Sequence, residues 1–235
     1  MSIKTITAWS ISRLLEFEKC PHRSYLQHIV KSPQPELPAT HPMIRGSRIH
    51  KEVEQYINGA SDTFPSSGKK LKDTLEYCRE RYVKGHASVE AQWGFDHDWG
   101  PVAWFAEDVW LRMATDCDIS EDDTSEIYDW KTGKSYGNEV KYMQQMQIYA
   151  VGKFMRSPDT QFIDVTLGFL DEGKLRTKSF VRGAKINKLL SRFSERGDRM
   201  TNCVDFRPKP SAMNCKWCPF GPGGTGACMY GVSPL

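Results

Sequence analysis

The sequence predicts an α/β fold: a mixed central β-sheet flanked by helices, a helical N-terminal segment and a cysteine-clipped C-terminal tail. Three observations predict it. Apolar residues recur with helical spacing through 1–85, then alternate with the period of strands through much of 86–184. A strongly amphipathic basic helix opens 185–235. The last stretch is rich in Pro and Gly and carries Cys215, Cys218 and Cys228. The whole chain, 1–235, reads as a single domain in these three parts.

Composition narrows the function. Charged residues make up 26 % and hydrophobic ones 39 %, the balance of a globular protein that buries a core. No apolar run approaches the ~20 residues of a membrane span, and no secretory pattern opens the chain. A cytoplasmic location is expected, and a membrane partner is not. Seven cysteines are an odd number for a disulfide framework, so thiols in a reducing compartment, some of them metal-bound, are expected. The net charge of +3 conceals an asymmetry. From Glu90 to Glu126 the acidic residues face one basic residue, Arg112; from Lys174 to Lys216 the balance reverses. An acidic centre beside a basic wall suits a metal site that receives a polyanion.

The elements follow in order. Ser10 is a good N-cap for a helix with Ile11, Leu14 and Leu15 inward, interrupted at Cys20-Pro21 and continued by Tyr25, Leu26 and Ile29. Four prolines make 31–42 a loop. Gly46-Ser47 is expected to cap a second helix with Ile49, His50, Val53 and Ile57 on one face. After a loop at 61–70, a third helix carries Leu71, Leu75, Cys78 and Tyr82. Strands are expected over 89–95 and 110–119. A helix is expected over 139–154, with Val140, Met143, Gln147, Ala150 and Phe154 inward. Asp171 to Lys174 is a hairpin turn between strands over 163–170 and 175–181. The last helix turns Ile186, Leu189, Leu190 and Phe193 inward. Its outer stripe is Lys188, Arg192, Arg196 and Arg199, a solvated face or a track along a phosphate backbone.

The chemistry centres on Asp116 to Lys131. Two short runs flank a polar acidic turn, and period two puts Asp129 and Lys131 on one face. If Asp116 lies on the adjacent strand, two carboxylates and an ammonium converge. Such carboxylates repel unless a cation sits between them, and oxygen ligands suit Mg²⁺ or Mn²⁺. The plainer alternative is a surface hairpin with one ion pair. In the tail, Cys215 and Cys218 have the spacing that clamps a metal, with Cys228 nearby and a fourth ligand from elsewhere.

These motifs, in this order, resemble the PD-(D/E)XK nuclease superfamily, and within it the RecB-like branch with an iron–sulfur cluster, which includes the CRISPR-adaptation nuclease and phage exonuclease relatives. Ser10 to Leu14 with Cys20-Pro21 is similar to its N-terminal cysteine motif. Gly46 to His50 with Glu54 is similar to its histidine helix. Asp116 resembles its lone aspartate, Asp129-Trp130-Lys131 its acidic-x-lysine string, and Gln145 to Tyr149 its glutamine–tyrosine motif. Met113 stands where the family often has glycine, which leaves Asp118 as the alternative to Asp116.

The resemblance implies a restriction-endonuclease-like fold and a metal-dependent deoxyribonuclease, first of all an exonuclease of recombination or end processing. It implies that His50, Asp116, Asp129 and the main-chain carbonyl of Trp130 bind Mg²⁺ or Mn²⁺. Lys131 would orient the attacking water, and Gln145 and Tyr149 would support the site and touch DNA. Cys20, Cys215, Cys218 and Cys228 would hold a [4Fe–4S] cluster, or alternatively Zn²⁺. Cys78, Cys117 and Cys203 have packing explanations. DNA is the expected partner, along Lys188, Arg192 and Arg196, with a homo-oligomer or a helicase or recombination partner as the assembly. The rivals are a non-catalytic iron–sulfur DNA-binding subunit of a larger complex and a zinc-stapled interaction module.

Overall fold

Ser10 opens α1 (Ile11–Lys19): its Oγ accepts from the Arg13 amide at 3.4 Å. The computed structural model describes residues 5–233. Cys20 breaks the helix with an extended backbone, and Pro21 restarts it as α2 (Pro21–Ser24), which widens into π-type turns over Tyr25–Val30. α3 (Pro42–Ile57) begins ahead of the predicted Gly46-Ser47 cap. Proline suits a first turn because the missing amide has no helical partner there, and His41 Nδ1 caps by accepting from the Met43 amide at 3.2 Å. Gly46 is interior instead; a Cβ there would stand 3.3 Å from Thr132 Oγ1, so the glycine lets α3 approach the loop after Lys131. A 3₁₀ turn at Ser66–Leu71 leads into α4 (Lys72–Val83).

The sheet follows: β1 (Ala87–Phe95), β2 (Pro101–Val102), β3 (Leu111–Glu121) and β4 (Thr124–Lys131), then α5 (Glu139–Arg156), then β5 (Phe162–Phe169) and β6 (Lys174–Val181). α6 (Ala184–Thr201) and the short α7 (Ala212–Lys216) complete the chain. The strand order is β2-β1-β3-β4-β5-β6. β4 and β5 are parallel, joined through α5; the other pairs are antiparallel. A parallel pair needs such a crossover. The result is the mixed sheet flanked by helices that the sequence predicts. Among the described residues no helix is long and apolar enough to cross a membrane.

Two apolar cores cover the two faces. α5 and α6 bury one with Phe154, Phe193 and Met200 against Phe95, Val165 and Leu167; α3 and α4 bury the other with Val53 and Leu75 against Cys117, Ile119 and Trp130. The faces exchange partway along the β1–β3 pair. Trp93 and Met113 belong to the α5 core, but Val89 and Cys117 pack in the α3–α4 core. Each pair is separated by four residues, an even step that strict alternation keeps on one face. The exchange on β1 falls at Glu90, whose φ of 51° is left-handed.

The inner face of α5 differs from the expectation. Val140 and Met143 are exposed, whereas Met146, Tyr149, Ala150 and Val151 are buried. The first turns of α5 border an open cleft rather than the sheet, so apolar residues there meet solvent.

Candidate active site

Asp116 and Asp129 emerge on neighbouring antiparallel strands, one step beyond the last ladder pair, Cys117 with Tyr128. The Trp130 amide donates to Asp116 Oδ2 at 2.5 Å, and Asp116 Oδ1 lies 3.2 Å from His50 Nδ1, delivered by α3. Asp129 is fixed from the opposite side. Gln145 Nε2 and the Tyr149 hydroxyl each donate to its Oδ1 at 2.8 Å, one turn apart on α5. Its Oδ2 forms an ion pair with the Lys131 ammonium. The structure thus brings together His50, Asp116, Asp129, Lys131, Gln145 and Tyr149.

Asp118 does not join them. Its Oδ2 takes the buried Lys153 ammonium at 2.7 Å, and Lys153 also donates to Ser120 Oγ at 2.7 Å. Lys153 and Ser120 hold Asp118 apart from His50, Glu90 and Asp116, which gather as one group.

Glu90 belongs beside the site and was not singled out by its sequence. His50, Glu90 and Asp116 offer ligand atoms all within 4.8 Å of one another, the sole such group of His, Cys, Asp or Glu among the described residues. Glu90 lies opposite Asp116 in the register that pairs Val89 with Cys117 and Ala91 with Thr115. Its acidity was visible; its cross-strand position was not.

The electrostatics suit a bound cation. Burial raises the Asp129 carboxyl, Lys131 opposes, and Asp116 adds to the rise. Burial also raises Glu90, with Asp116 and Glu54 adding to it. Burial would lower His50, but its hydrogen bond to Asp116 and the charges of Asp116 and Asp129 prevail and raise it. Clustered carboxylates that resist ionisation together are what a divalent cation relieves.

Beside the site, a cleft of about 570 Å³ runs between α1 and the start of α5, lined by Lys19, Arg23 and Lys141 and also by Glu16, Glu18 and Glu139. The Lys141 ammonium is lowered by burial, then by the charges of Lys131 and Lys19. On α6, Lys188 and Arg192 are exposed, but Arg196 is not part of an outer stripe. Its Nε and Nη2 reach both Glu18 carboxylate oxygens at 2.7 and 2.8 Å, and Nη2 reaches Gln144 Oε1 at 2.7 Å. α1 lies over that part of α6, so the position is an interface between helices.

Cys20, Cys215, Cys218 and Cys228 line one cavity between the N-terminal helices and the tail. The Lys209 amide lies 3.5 Å from Cys20 Sγ, and Asn214 donates to the Lys19 carbonyl at 3.1 Å. No three of these thiols lie within 4.8 Å of one another. Four thiols around one cavity are the donor set that either a four-iron cluster or zinc would take. Cys78 and Cys117 are buried in the α3–α4 core, and Cys203 stands outside the cage.

A family model of the PD-(D/E)XK nuclease superfamily matches residues 8–116 and 80–222, which takes in every group of the site. The chain belongs to that superfamily, and so to a class of phosphodiester-cleaving hydrolases that use divalent metals and act on DNA. Two solved structures are similar at low identity. SSO0001 is 15% identical, with a TM-score of 0.45 over 99% of this chain and 91% of its own. A candidate exonuclease from Eubacterium rectale is 11% identical, with a TM-score of 0.46 over 90% of this chain and 86% of its own. No curated protein matches the chain.

Proposed function

We propose that this nuclease is a deoxyribonuclease dependent on Mg²⁺ or Mn²⁺, acting as an exonuclease in recombination or DNA end processing. The observation that carries the reading is the convergence of Asp116, His50 and the Asp129–Lys131 pair at the end of the β3–β4 ladder. His50, Asp116, Asp129 and the Trp130 carbonyl would hold the cation. When bound, it supplies the Lewis acidity that phosphodiester hydrolysis requires. Lys131 orients a water toward phosphorus and offsets the negative charge that builds on the phosphate oxygens. The water's oxygen bonds to phosphorus as the bond to the leaving oxygen breaks; the water gives up a proton to solvent and the leaving oxygen takes one from it. Gln145 and Tyr149 occupy Asp129 Oδ1, which leaves Oδ2 to Lys131. DNA enters through the cleft of Lys19, Arg23 and Lys141, with Arg192 lining the adjoining cavity and Lys188 one turn before it on α6. Cys20, Cys215, Cys218 and Cys228 would hold a [4Fe–4S] cluster next to Lys19 and Arg23 in that cleft's wall.

The test uses end-labelled linear and circular DNA, single- and double-stranded, with Mn²⁺, Mg²⁺ or EDTA. Cleavage of linear but not circular DNA, absent in EDTA, is expected. Asp116→Ala, Asp129→Ala and Lys131→Ala should each abolish it while leaving the protein folded and able to bind DNA; His50→Ala, one ligand among several, should reduce it less. Full activity in folded Lys131→Ala would sink the assignment.

A further inference from the structure

Two cavities adjoin at the start of α1. One, of about 330 Å³, is lined by Gln145 and Tyr149 of the site and by Trp104 and Ala114. The other, of about 360 Å³, is lined by His28 and Lys31. Arg13 and Arg112 line both, so their side chains form the partition. No Asp or Glu lines either cavity. Several other arginines of this chain face acids, as Arg23 does Glu16, Arg45 does Asp171 and Arg79 does Asp62, whereas Arg182 spends its donors on three carbonyls. Arg13 donates to the Ala8 carbonyl at 3.2 Å, and Arg112 to the Trp104 carbonyl at 2.7 Å. A guanidinium has five donors, so most of theirs are uncommitted.

The charge is out of balance there. Burial and then the Arg112 charge lower the Arg13 guanidinium, with Glu16 opposing. Burial, Arg13 and Arg23 lower His28. Neighbouring, half-buried cations of this kind are stabilised by an anion between them. The first turn of α1 borders the same cavity and adds its positive end.

We infer that Arg13 and Arg112 form a phosphate subsite for the substrate strand, away from the hydrolytic centre. This deepens the deoxyribonuclease reading and rests on it. A strand phosphate explains the position, because the same cavity reaches Gln145 and Tyr149, the side chains that hold Asp129. The phosphate is either the terminal monoester of a DNA end or an internal diester, and the two call for different substrates.

The experiment compares wild type with Arg13→Gln, Arg112→Gln and the double variant. Binding of labelled single strands is read in EDTA against salt, and cleavage is read in Mn²⁺. Each substitution should flatten the slope of log affinity against log salt by about 0.7 and raise KM about tenfold, more than it changes kcat. If the loss appears only with a 5′- or 3′-phosphorylated end, the subsite takes the terminal group; if a circular strand loses binding equally, it takes a diester. Ala114→Glu, which adds a carboxylate to the cavity and leaves both arginines, should give the same loss if the glutamine variants fail to fold. Unchanged slopes and KM in folded variants would overturn the subsite. Wild type that cleaves no DNA would sink the nuclease reading instead, and the salt slope in EDTA would still decide the subsite.

Discussion

Glu90 carries the strain of the site. Left-handed backbone costs a residue with a side chain about 1–2 kcal/mol, a penalty glycine escapes. Here it coincides with the level at which the β1–β3 pair exchanges its two cores. The order of stabilities should therefore invert. Glu90→Gly should be more stable than Glu90→Ala by up to about 1 kcal/mol, whereas at exposed Gln92, two residues on, alanine should be the better residue by about 0.5–1 kcal/mol. Denaturant midpoints of the four variants decide it; the same order at both positions would mean the left-handed backbone is not strained. Glu90→Gln should also raise the Mn²⁺ needed for half-maximal cleavage by about tenfold, since it removes a carboxylate from the group around His50. This residue marks where sequence reading stops. Asp129 and Lys131 are legible as a pair because two residues on a strand share a face. Glu90 meets Asp116 only through cross-strand register and a backbone angle that no local pattern announces.

Among the elements, helices and strands are legible nearly to their ends because each has a period, but helix faces are less so. Period alone assigns an inner stripe to α5 and an outer stripe to α6, and both assignments fail where a third helix or an open cleft intervenes. α1 covers the end of α6, so Arg196 becomes a tie among α1, α5 and α6, with its side chain only 11% exposed. Arg196→Glu should consequently lower stability before it affects DNA binding. A double-mutant cycle of Arg196→Ala with Glu18→Ala should show a coupling of about 1–3 kcal/mol, as a bidentate pair removed from water allows. Lys188→Glu with Arg192→Glu should leave the melting temperature nearly unchanged and flatten the salt slope of DNA binding by more than one. If that slope stays put, both side chains are merely solvated and the cleft of Lys19, Arg23 and Lys141 carries the strand alone.

At the scale of the molecule, the two ends of the described chain meet at the cysteine cage, and the tail has little else to hold it. Phe220 is the one fully buried apolar side chain between 211 and 233, while Met213, Trp217 and Met229 are each more than 80% exposed. A segment with so few buried contacts opens at low free energy unless a cross-link closes it. His22 against Tyr230, with ring centroids 5.1 Å apart, and Asn214 on the Lys19 carbonyl are modest ties. A four-thiolate centre would join Cys20 to the tail across most of the chain, and its binding energy would become stability of both segments at once. Anaerobically purified protein should therefore be brown and contain iron and sulfide, with broad absorption near ~400 nm. In Cys20→Ser, amide exchange should rise together over 11–30 and over 203–233, while the β3–β5 core keeps its protection. Stoichiometric zinc in a colourless protein would replace the cluster but retain the four ligands. Metal content that survives Cys20→Ser intact would remove Cys20 from the centre, and with it the tie between the two ends.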